Sequence, residues 1–200
     1  MTITNMLRGA FVAMAALSLA ACGINSVPAA EEQAKAKWAD VEAQFQRRSN
    51  LIPNLAEVTK GAAESERAIL TEVTEARARA TSVNITADDL DDPAKMEQFA
   101  AAQGQISQGL GRLLASFEAY PQIQSNQNFL ALQSQLEGTE NRIAVAIRDY
   151  NEAVRQYNTT IRTFPDIIGA KVIHGAKPLV PYKAATPGAD VAPTLNMTGN

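Results

Sequence analysis

This chain has very little of what catalytic and metal sites are usually built from. Its 200 residues include one cysteine, Cys22, and one histidine, His174. One cysteine cannot form an internal disulfide, and one histidine cannot supply a histidine cage for a metal ion. The serines lie in helix-like segments without a histidine or lysine placed to activate them. We therefore predict no enzymatic activity, no cofactor and no metal site.

The chain also lacks an excess of basic charge, because 18 basic and 21 acidic residues give a formal net charge of −3. A protein that binds nucleic acid needs a basic face that displaces counterions from phosphates, so the sequence predicts no nucleic-acid partner. Apolar residues, in contrast, make up 46% of the chain, which is enough to build the core of one globular domain.

The N-terminus lacks an apolar run long enough for a membrane span, which needs roughly 20 residues. It has the parts of an export signal instead: Arg8, an apolar stretch, and then Leu19-Ala20-Ala21-Cys22. These four residues resemble the bacterial lipobox, in which the cysteine thiol is acylated and the chain is cut just before it. A free signal peptide also fits the pattern, but it leaves Cys22 without a role.

We therefore predict a lipoprotein signal peptide over residues 1–21, a lipidated Cys22 and a short tether over residues 22–28. Several acyl chains together hold a protein stably on a bilayer. Position 23 is glycine rather than aspartate, which in the sorting rule of enteric-type bacteria favours the periplasmic face of the outer membrane. The predicted location is therefore the bacterial cell envelope, outside the cytoplasm.

Residues 29–165 are patterned as helices and show no strand pattern. Three apolar seams recur in steps of three and four residues, and this period suits antiparallel helices that cross with a left-handed twist. The seams are Leu55, Val58, Ala62, Ser65, Ile69, Val73 and Ala76; Met96, Phe99, Gln103, Ile106, Leu110, Leu113, Phe117 and Tyr120; and Phe129, Leu132, Leu136, Thr139, Ile143, Ile147, Tyr150, Val154, Tyr157, Ile161 and Phe164.

Helix boundaries are marked by capping residues and prolines. Asp92 before Pro93 predicts the start of the third helix, and Pro121 the start of the fourth. The acidic run 88–92 is predicted to be a solvated turn and helix cap rather than a calcium site, because it lacks the ligand spacing and the glycine of a calcium loop. Residues 166–200 are rich in proline and are predicted to be an irregular, partly disordered tail.

Pro53 leaves two alternatives, because proline lacks the amide donor that a helix interior requires. Either a kinked helix continues through it, or the chain breaks near Ser49-Asn50, which we favour. The predicted fold is therefore all-α: an elongated, antiparallel, up-and-down four-helix bundle with a kink or break near Pro53.

Several of these residues are similar to one known family. The most specific are Arg48 with the run Leu51-Ile52-Pro53-Asn54-Leu55, and the two Tyr-Asn steps at Tyr150-Asn151 and Tyr157-Asn158. Together they resemble the LemA family from about Trp38 to Pro165. This resemblance implies a four-helix bundle outside the cytoplasmic membrane, with no catalytic residues to carry over. Further similar positions are Gly61, Ala76-Arg77, Tyr120-Pro121, Glu140-Asn141, Arg148 and Phe164-Pro165.

The sequence also departs from the family pattern. Members more often begin with an uncleaved membrane helix, and their common His-Glu pair corresponds to Ser65-Glu66 here. A Gly-aromatic step near the C-terminus corresponds to Gly175-Ala176. The family is often discussed together with envelope proteins that carry a TPM domain, so the resemblance suggests such a partner.

Polar residues beside the last apolar seam, with candidate partners on earlier helices, form the one site that the sequence suggests. Two interpretations stay open: a hydrogen-bonded layer between helices, or a polar groove that binds a ligand or partner. The candidate residues are Asn54, Arg77, Asn141, Arg148, Asn151 and Asn158.

The function predicted from these patterns is that of a non-enzymatic, lipid-anchored cell-envelope bundle that acts as an interaction or scaffold module. One alternative is an envelope hydrolase that uses helix-borne carboxylates such as Glu137 and Glu140, or a metal. Another is a carrier that binds a small molecule or lipid inside the bundle.

Overall fold

The computed structural model describes the backbone of residues 3–59 and 64–184, and side chains within residues 25–59, 67–121, 123 and 125–184. Across these ranges the regular secondary structure is helical, without a β-strand, which confirms the all-α prediction. The elements in chain order are α1 (Ile3–Val58), α2 (Glu64–Ser82), a 3₁₀ turn (Ala87–Asp89), α3 (Pro93–Phe117), α4 (Pro121–Gln124), α5 (Gln127–Thr160), α6 (Asp166–Gly169) and a π-helical turn (Ala170–His174).

The four long helices run up and down, as predicted. Trp38 of α1 contacts Tyr150 of α5, with ring centroids 5.1 Å apart. Further along α1, Arg48 bonds Glu140, which lies earlier on α5, so the two helices are antiparallel. α1 and α3 run in the same direction. Trp38 contacts Phe99, and Arg48, further along α1, bonds Gln103, which lies further along α3. α1 and α3 are therefore parallel to each other, and α5 runs in the opposite direction.

α2 and α3 form a second close antiparallel pair. A Cβ atom built on Gly109 of α3 would lie 2.8 Å from Cγ2 of Val73, which is closer than a carbon contact allows. Glycine at this position therefore permits the two backbones to approach. An exposed ion pair between Arg112 and Glu72 joins the same helices on the solvent side.

The buried apolar residues form two clusters stacked along the bundle. The proximal core extends along α1 from Val27 to Phe45, and its other members come from the segment between α2 and α3, from α3, from α5 and from the segment after α5. The distal core begins on α1 at Leu51 and includes residues of α2, α3 and α5. Aromatic edge-to-face contacts occur in both cores and contribute about 0.5–1.5 kcal/mol each beyond simple burial.

Capping residues explain where the long helices start. Asp92 accepts hydrogen bonds from the backbone amides of Ala94 (2.9 Å) and Lys95 (3.2 Å), which confirms the predicted start of α3. The predicted start of the last long helix at Pro121 is wrong, because α4 ends after one turn. Asn126 then caps α5 by accepting from the amide of Asn128 at 2.9 Å. Asparagine is a preferred N-cap residue, so the interruption has a local cause.

The favoured break near Ser49-Asn50 is also wrong, because α1 continues through Pro53 and ends at Val58. Proline at position 53 cannot donate to the carbonyl of Ser49, which an uninterrupted helix would pair with that amide. Nε of Arg77 on α2 donates to this carbonyl instead, at 2.9 Å. A tertiary contact thus compensates for the missing helical hydrogen bond. The prediction of four long helices still holds, because the first helix ends at Val58 and the second begins at Glu64.

Other boundaries differ from the sequence pattern too. Residues 22–28, predicted to be a tether, belong to α1, and Val27 is already fully buried. At the other end, the last apolar seam was predicted to reach Phe164, but α5 ends at Thr160 and Phe164 is 74% exposed. Within the described part of the chain, no helix combines the length and the apolar character needed to cross a membrane.

The contact between Arg77 and Ser49 predicts a coupled effect on stability. Arg77→Met should lower the free energy of unfolding by about 1–2 kcal/mol, because it leaves the Ser49 carbonyl without its donor. In a Pro53→Ala background, the new amide can donate to that carbonyl, so the same substitution should cost clearly less. Urea unfolding of the four variants in this cycle measures the difference. Equal costs in both backgrounds would contradict the compensation, and Arg79→Met on the exposed side of α2 is the control.

Candidate functional site

A buried arginine lies between the two cores. Arg48 is 1% exposed, and its guanidinium reaches α3 and α5 at once. Nη1 donates to Oγ of Ser107 (2.6 Å) and to Oε1 of Glu140 (3.0 Å). Nη2 donates to the side-chain oxygen of Gln103 (2.6 Å) and to its backbone carbonyl (3.2 Å). We call these four residues the Arg48 layer.

Two members of this layer, Arg48 and Gln103, occupy positions where the apolar pattern is interrupted. Position 48 continues the spacing of Phe45 and Ile52, so Arg48 occupies a core position of α1. Gln103 is the polar member of the α3 seam, and it is also buried. The guanidinium carbon of Arg48 lies 5.1 Å from the centre of the Phe45 ring, which adds a cation–π contact.

The chemistry of the Arg48 layer fits a structural role rather than a catalytic one. Arginine stays protonated, and a buried charge must be paired and hydrogen-bonded to be tolerated. Glu140, the counter-charge, is 44% exposed, so solvent screens the ion pair. Most of the compensation therefore comes from the directional bonds to Gln103 and Ser107. Such a group fixes the relative positions of helices more than it adds stability.

A small cleft of about 100 Å³ opens beside this layer. Phe45 and Ser49 line it from α1, Gln103 from α3, and the end of α2 closes one side. Glu42 also faces the cleft, and burial raises the pKa of its carboxyl group. The cleft has room for solvent rather than for a substrate.

A second polar arrangement holds the segment after the π-helical turn against α5. We call residues 175–184 the C-terminal strap. Asn151 donates through Nδ2 to the carbonyl of Tyr182 (3.0 Å) and accepts from its backbone amide (2.8 Å). Asn158 pairs in the same way with Leu179, at 2.8 and 2.9 Å. Each carboxamide thus bonds both the carbonyl and the amide of one strap residue, as a peptide group of a neighbouring β-strand would.

The tyrosine next to each asparagine adds a further bond. The phenol hydroxyl of Tyr150 donates to the carbonyl of Val180 (2.8 Å), and that of Tyr157 donates to the carbonyl of Lys177 (3.0 Å). Burial raises the pKa of both phenols, so they stay protonated donors at neutral pH. Because the two Tyr-Asn steps are seven residues apart, they lie on one face of α5, two turns from each other.

The strap also completes the proximal core. The ring of Tyr182 lies among Trp38, Phe45 and Phe99, with centroid distances between 5.9 and 6.5 Å. Burial raises the pKa of Tyr182 to about 12. The strap therefore contributes side chains that the helices need, in addition to its backbone bonds.

The acidic loop before α3 holds the other edge of the strap. The backbone amide of Val180 donates to the carbonyl of Leu90 at 2.8 Å, and Lys177 pairs with Asp91 at 2.9 Å. This ion pair lowers the pKa of Asp91. The acidic run, predicted to be a solvated turn and helix cap, thus also contacts the strap.

The six candidate residues do not form one site. Asn151 and Asn158 bind the strap, and Arg77 bonds the Ser49 carbonyl. The other three are exposed in the bundle surface, and Arg148 pairs with its neighbour Asp149 at 3.5 Å. These exposed residues are Asn54, Asn141 and Arg148. Cys22 lies in α1, but its side chain is outside the described residues.

Sequence reasoning missed two groups, and each left a signal. Arg48 sits at a core position in a seam of apolar residues, and a charged residue there indicates a buried polar network. Leu179 and Tyr182 are large apolar residues in a segment that was predicted to be a tail, and both are buried. Their partners lie more than 20 residues away, so no local periodicity marks them.

The carboxylates considered for a hydrolase do not converge. Glu140 bonds Arg48, whereas Glu137 accepts from Gln133 at 3.0 Å on the exposed face of α5. His174 ends the π-helical turn, and no group of metal-ligating side chains is found among the described residues.

These features define a class: an elongated up-and-down helical bundle whose polar groups fix helix register and hold an extended C-terminal strap. The LemA family model matches residues 37–196, and the chain belongs to this family. That match includes the Arg48 layer, both Tyr-Asn steps and the whole strap.

The curated relatives that match are magnetosome proteins. The chain is 29% identical over 157 residues to magnetosome proteins MamQ 1 and MamQ 2 of Paramagnetospirillum magneticum. It is 27% identical over 150 residues to MamQ of Magnetospirillum gryphiswaldense. The matched regions cover 70% and 67% of this chain, and 58% and 55% of the relatives. The chain thus spans somewhat more than half the length of these relatives.

The Arg48 layer predicts a large effect from a substitution that preserves side-chain volume. Arg48→Met should lower the free energy of unfolding by about 2–4 kcal/mol, because it leaves the buried amide of Gln103 without its partner. Adding Gln103→Leu should recover much of that loss, since both polar groups are then gone. Chemical denaturation measures both effects. Arg47→Met, on the exposed side of the same turn, is the control, and an equal loss there would contradict the assignment.

The two asparagines predict separate effects along the strap. Asn151→Ala should speed hydrogen exchange most at the backbone amide of Tyr182, and Asn158→Ala at that of Leu179, because each amide loses its own acceptor. Each substitution should also lower stability by about 1–2 kcal/mol. Amide-resolved exchange measured by NMR tests this pattern. Asn141→Ala, on an exposed position of α5, should change neither amide, and uniform exchange in all three variants would contradict the pairing.

Proposed function

We propose that this protein is a non-enzymatic, membrane-associated module of the bacterial cell envelope. Acyl chains on Cys22 tether it, on the periplasmic face of the outer membrane, and the bundle serves as a scaffold that contacts envelope partners. Its role is to keep a rigid helical surface at a fixed place near the bilayer, rather than to transform a substrate.

One observation carries this proposal: the lipobox-like motif leads directly into the bundle. α1 continues from Cys22 to Val58 without interruption, a length of about 55 Å. The same helix supplies the α1 residues of both cores and the guanidinium of the Arg48 layer. A helix that is built into the core in this way transmits the position of its anchored end to the whole bundle.

The polar groups support a structural role. The Nη1 and Nη2 donors of Arg48 are directed at residues of α3 and α5, and Asn151 and Asn158 are directed at the strap. These groups stabilise one arrangement of the helices. Tethering then raises the local concentration of that arrangement at the membrane, so weak contacts with partners become occupied.

The relatives support the same reading. Proteins named for the magnetosome favour a membrane-associated role for a chain that is 27–29% identical to them over 150–157 residues. A partner with a TPM domain is the candidate that the family resemblance suggests.

The lipid anchor predicts a defined product. In its host, the mature chain should begin at Cys22 and carry acyl groups, and it should float with membranes in a density gradient. Cys22→Ser should abolish both the acyl mass and the processing before residue 22. Mass spectrometry of the N-terminal peptide measures this directly. A mature peptide that still contains residues 19–21, or an unmodified Cys22, would refute the anchor.

Crosslinking in intact cells separates the scaffold from the alternatives. Partners captured by the wild-type chain should be reduced when Cys22→Ser removes the anchor, because the local concentration falls. Asn141→Ala is a matched control, since it alters an exposed polar residue and leaves the anchor intact. Partner capture that is equal with and without the anchor would contradict the tethered scaffold.

A further inference from the structure

Exposed apolar side chains are concentrated at one end of the bundle. Among the described residues, six large hydrophobic side chains are exposed, and four of them lie within residues 164–173. We call these four the apolar foot: Phe164, Ile168, Val172 and Ile173, which are 74%, 55%, 78% and 56% exposed. A cluster of this kind on a soluble surface usually marks an interaction site.

The foot belongs to a folded segment. On the opposite side of α6 and the π-helical turn, Gly169 and Ala170 are buried, and Ala170 belongs to the same core as Val27 of α1. Asp166 also accepts a hydrogen bond from the hydroxyl of Ser26. The segment is thus held against α1 from its inner side, while its outer side presents apolar residues to solvent.

The contact with Ser26 places the foot beside the predicted anchor. Ser26 follows Cys22 by one helical turn, which is about 6 Å along α1. The foot therefore lies beside the turn of α1 that leads to Cys22. A bilayer that holds Cys22 would also meet the foot.

The charges near the foot agree with a lipid surface. Arg162 and Lys171 are both exposed and lie on either side of Ile168 in the sequence. Asp166 is the one acidic residue within residues 162–173 of the sequence, and it accepts a hydrogen bond from Ser26. Basic side chains at the rim of an apolar patch suit the anionic headgroups of a membrane.

We propose that the apolar foot inserts into the interfacial layer of the membrane that carries the N-terminal anchor. This inference rests on the proposed lipid tether, because the tether supplies the bilayer. Insertion adds a second contact between the bundle and the bilayer, besides the lipid on Cys22. Two contacts fix the tilt of the bundle relative to the membrane, which one flexible tether at the end of α1 does not.

Tryptophan quenching tests this proposal on the full chain. The protein isolated from its host is reconstituted into vesicles of phosphatidylcholine with a minority of phosphatidylglycerol, in which bromine-labelled acyl chains quench nearby tryptophan. The natural Trp38 is buried and serves as the internal reference. Val172→Trp places a reporter on the foot. Val145→Trp is the matched control, since Val145 is exposed beside Gln44, about 30 Å along α1 from Cys22.

Emission from Val172→Trp should be quenched, whereas emission from Val145→Trp and from the wild-type chain should not change. Adding Ile168→Ser to Val172→Trp should shift the ratio of docked to undocked protein by about tenfold, because one buried aliphatic side chain is lost. Val145→Ser in the same background should leave the quenching unchanged.

Two results would overturn the foot and leave the anchor intact. In the first, the chain floats with the vesicles but Val172→Trp is not quenched. In the second, Val172→Trp emission is blue-shifted without quenching, and the chain forms a dimer that Ile168→Ser dissociates, so a second copy covers the foot. Failure of the chain to float at all would instead overturn both the tether and the foot.

Discussion

The burial of Arg48 between two apolar cores is the constraint on which the arrangement of the bundle depends. Apolar seams of regular spacing attract helices but tolerate sliding by a turn, because one layer of leucine or phenylalanine resembles the next. A guanidinium that must meet Gln103 and Ser107 on α3 and Glu140 on α5 removes that freedom. Desolvation of the charge is costly in any other register. The polar layer thus selects one alignment of three helices.

The C-terminal strap follows the same principle with neutral groups. Asn151 and Asn158 offer the strap one donor and one acceptor each, as a neighbouring β-strand would. Helix α5 can therefore bind an extended chain without an exposed sheet edge. Because Tyr182 fills the aromatic part of the proximal core, that core is complete only when the strap is in place. The strap is therefore part of the tertiary structure.

The parts of this fold that the sequence predicted are those with a short-range period. The seam through Met96 and Phe117, and the cap at Asp92, follow from local spacing and local bonds. Pro53 misled the prediction because its missing bond is compensated from α2, by Arg77. The strap was missed for a related reason, since its partners are distant in the chain. Local rules fail where a tertiary partner supplies what the local backbone lacks.

The two ends of the bundle are built differently, and this difference bears on the proposed role. At the distal end, α2 and α3 approach closely through Gly109, and the core there includes no residue of the strap. The proximal end combines the strap, the acidic loop and the segment around Asp166. The strap is bonded to the acidic loop, and Asp166 is bonded to Ser26, one turn of α1 after Cys22. Cross-links concentrated beside an anchor resist rotation of the bundle about that anchor. Because the Arg48 layer then couples α1 to α3 and α5, a tilt fixed at the proximal end is also fixed at the distal one. A scaffold that must present a surface at constant height and angle requires this coupling, whereas a tether alone does not provide it.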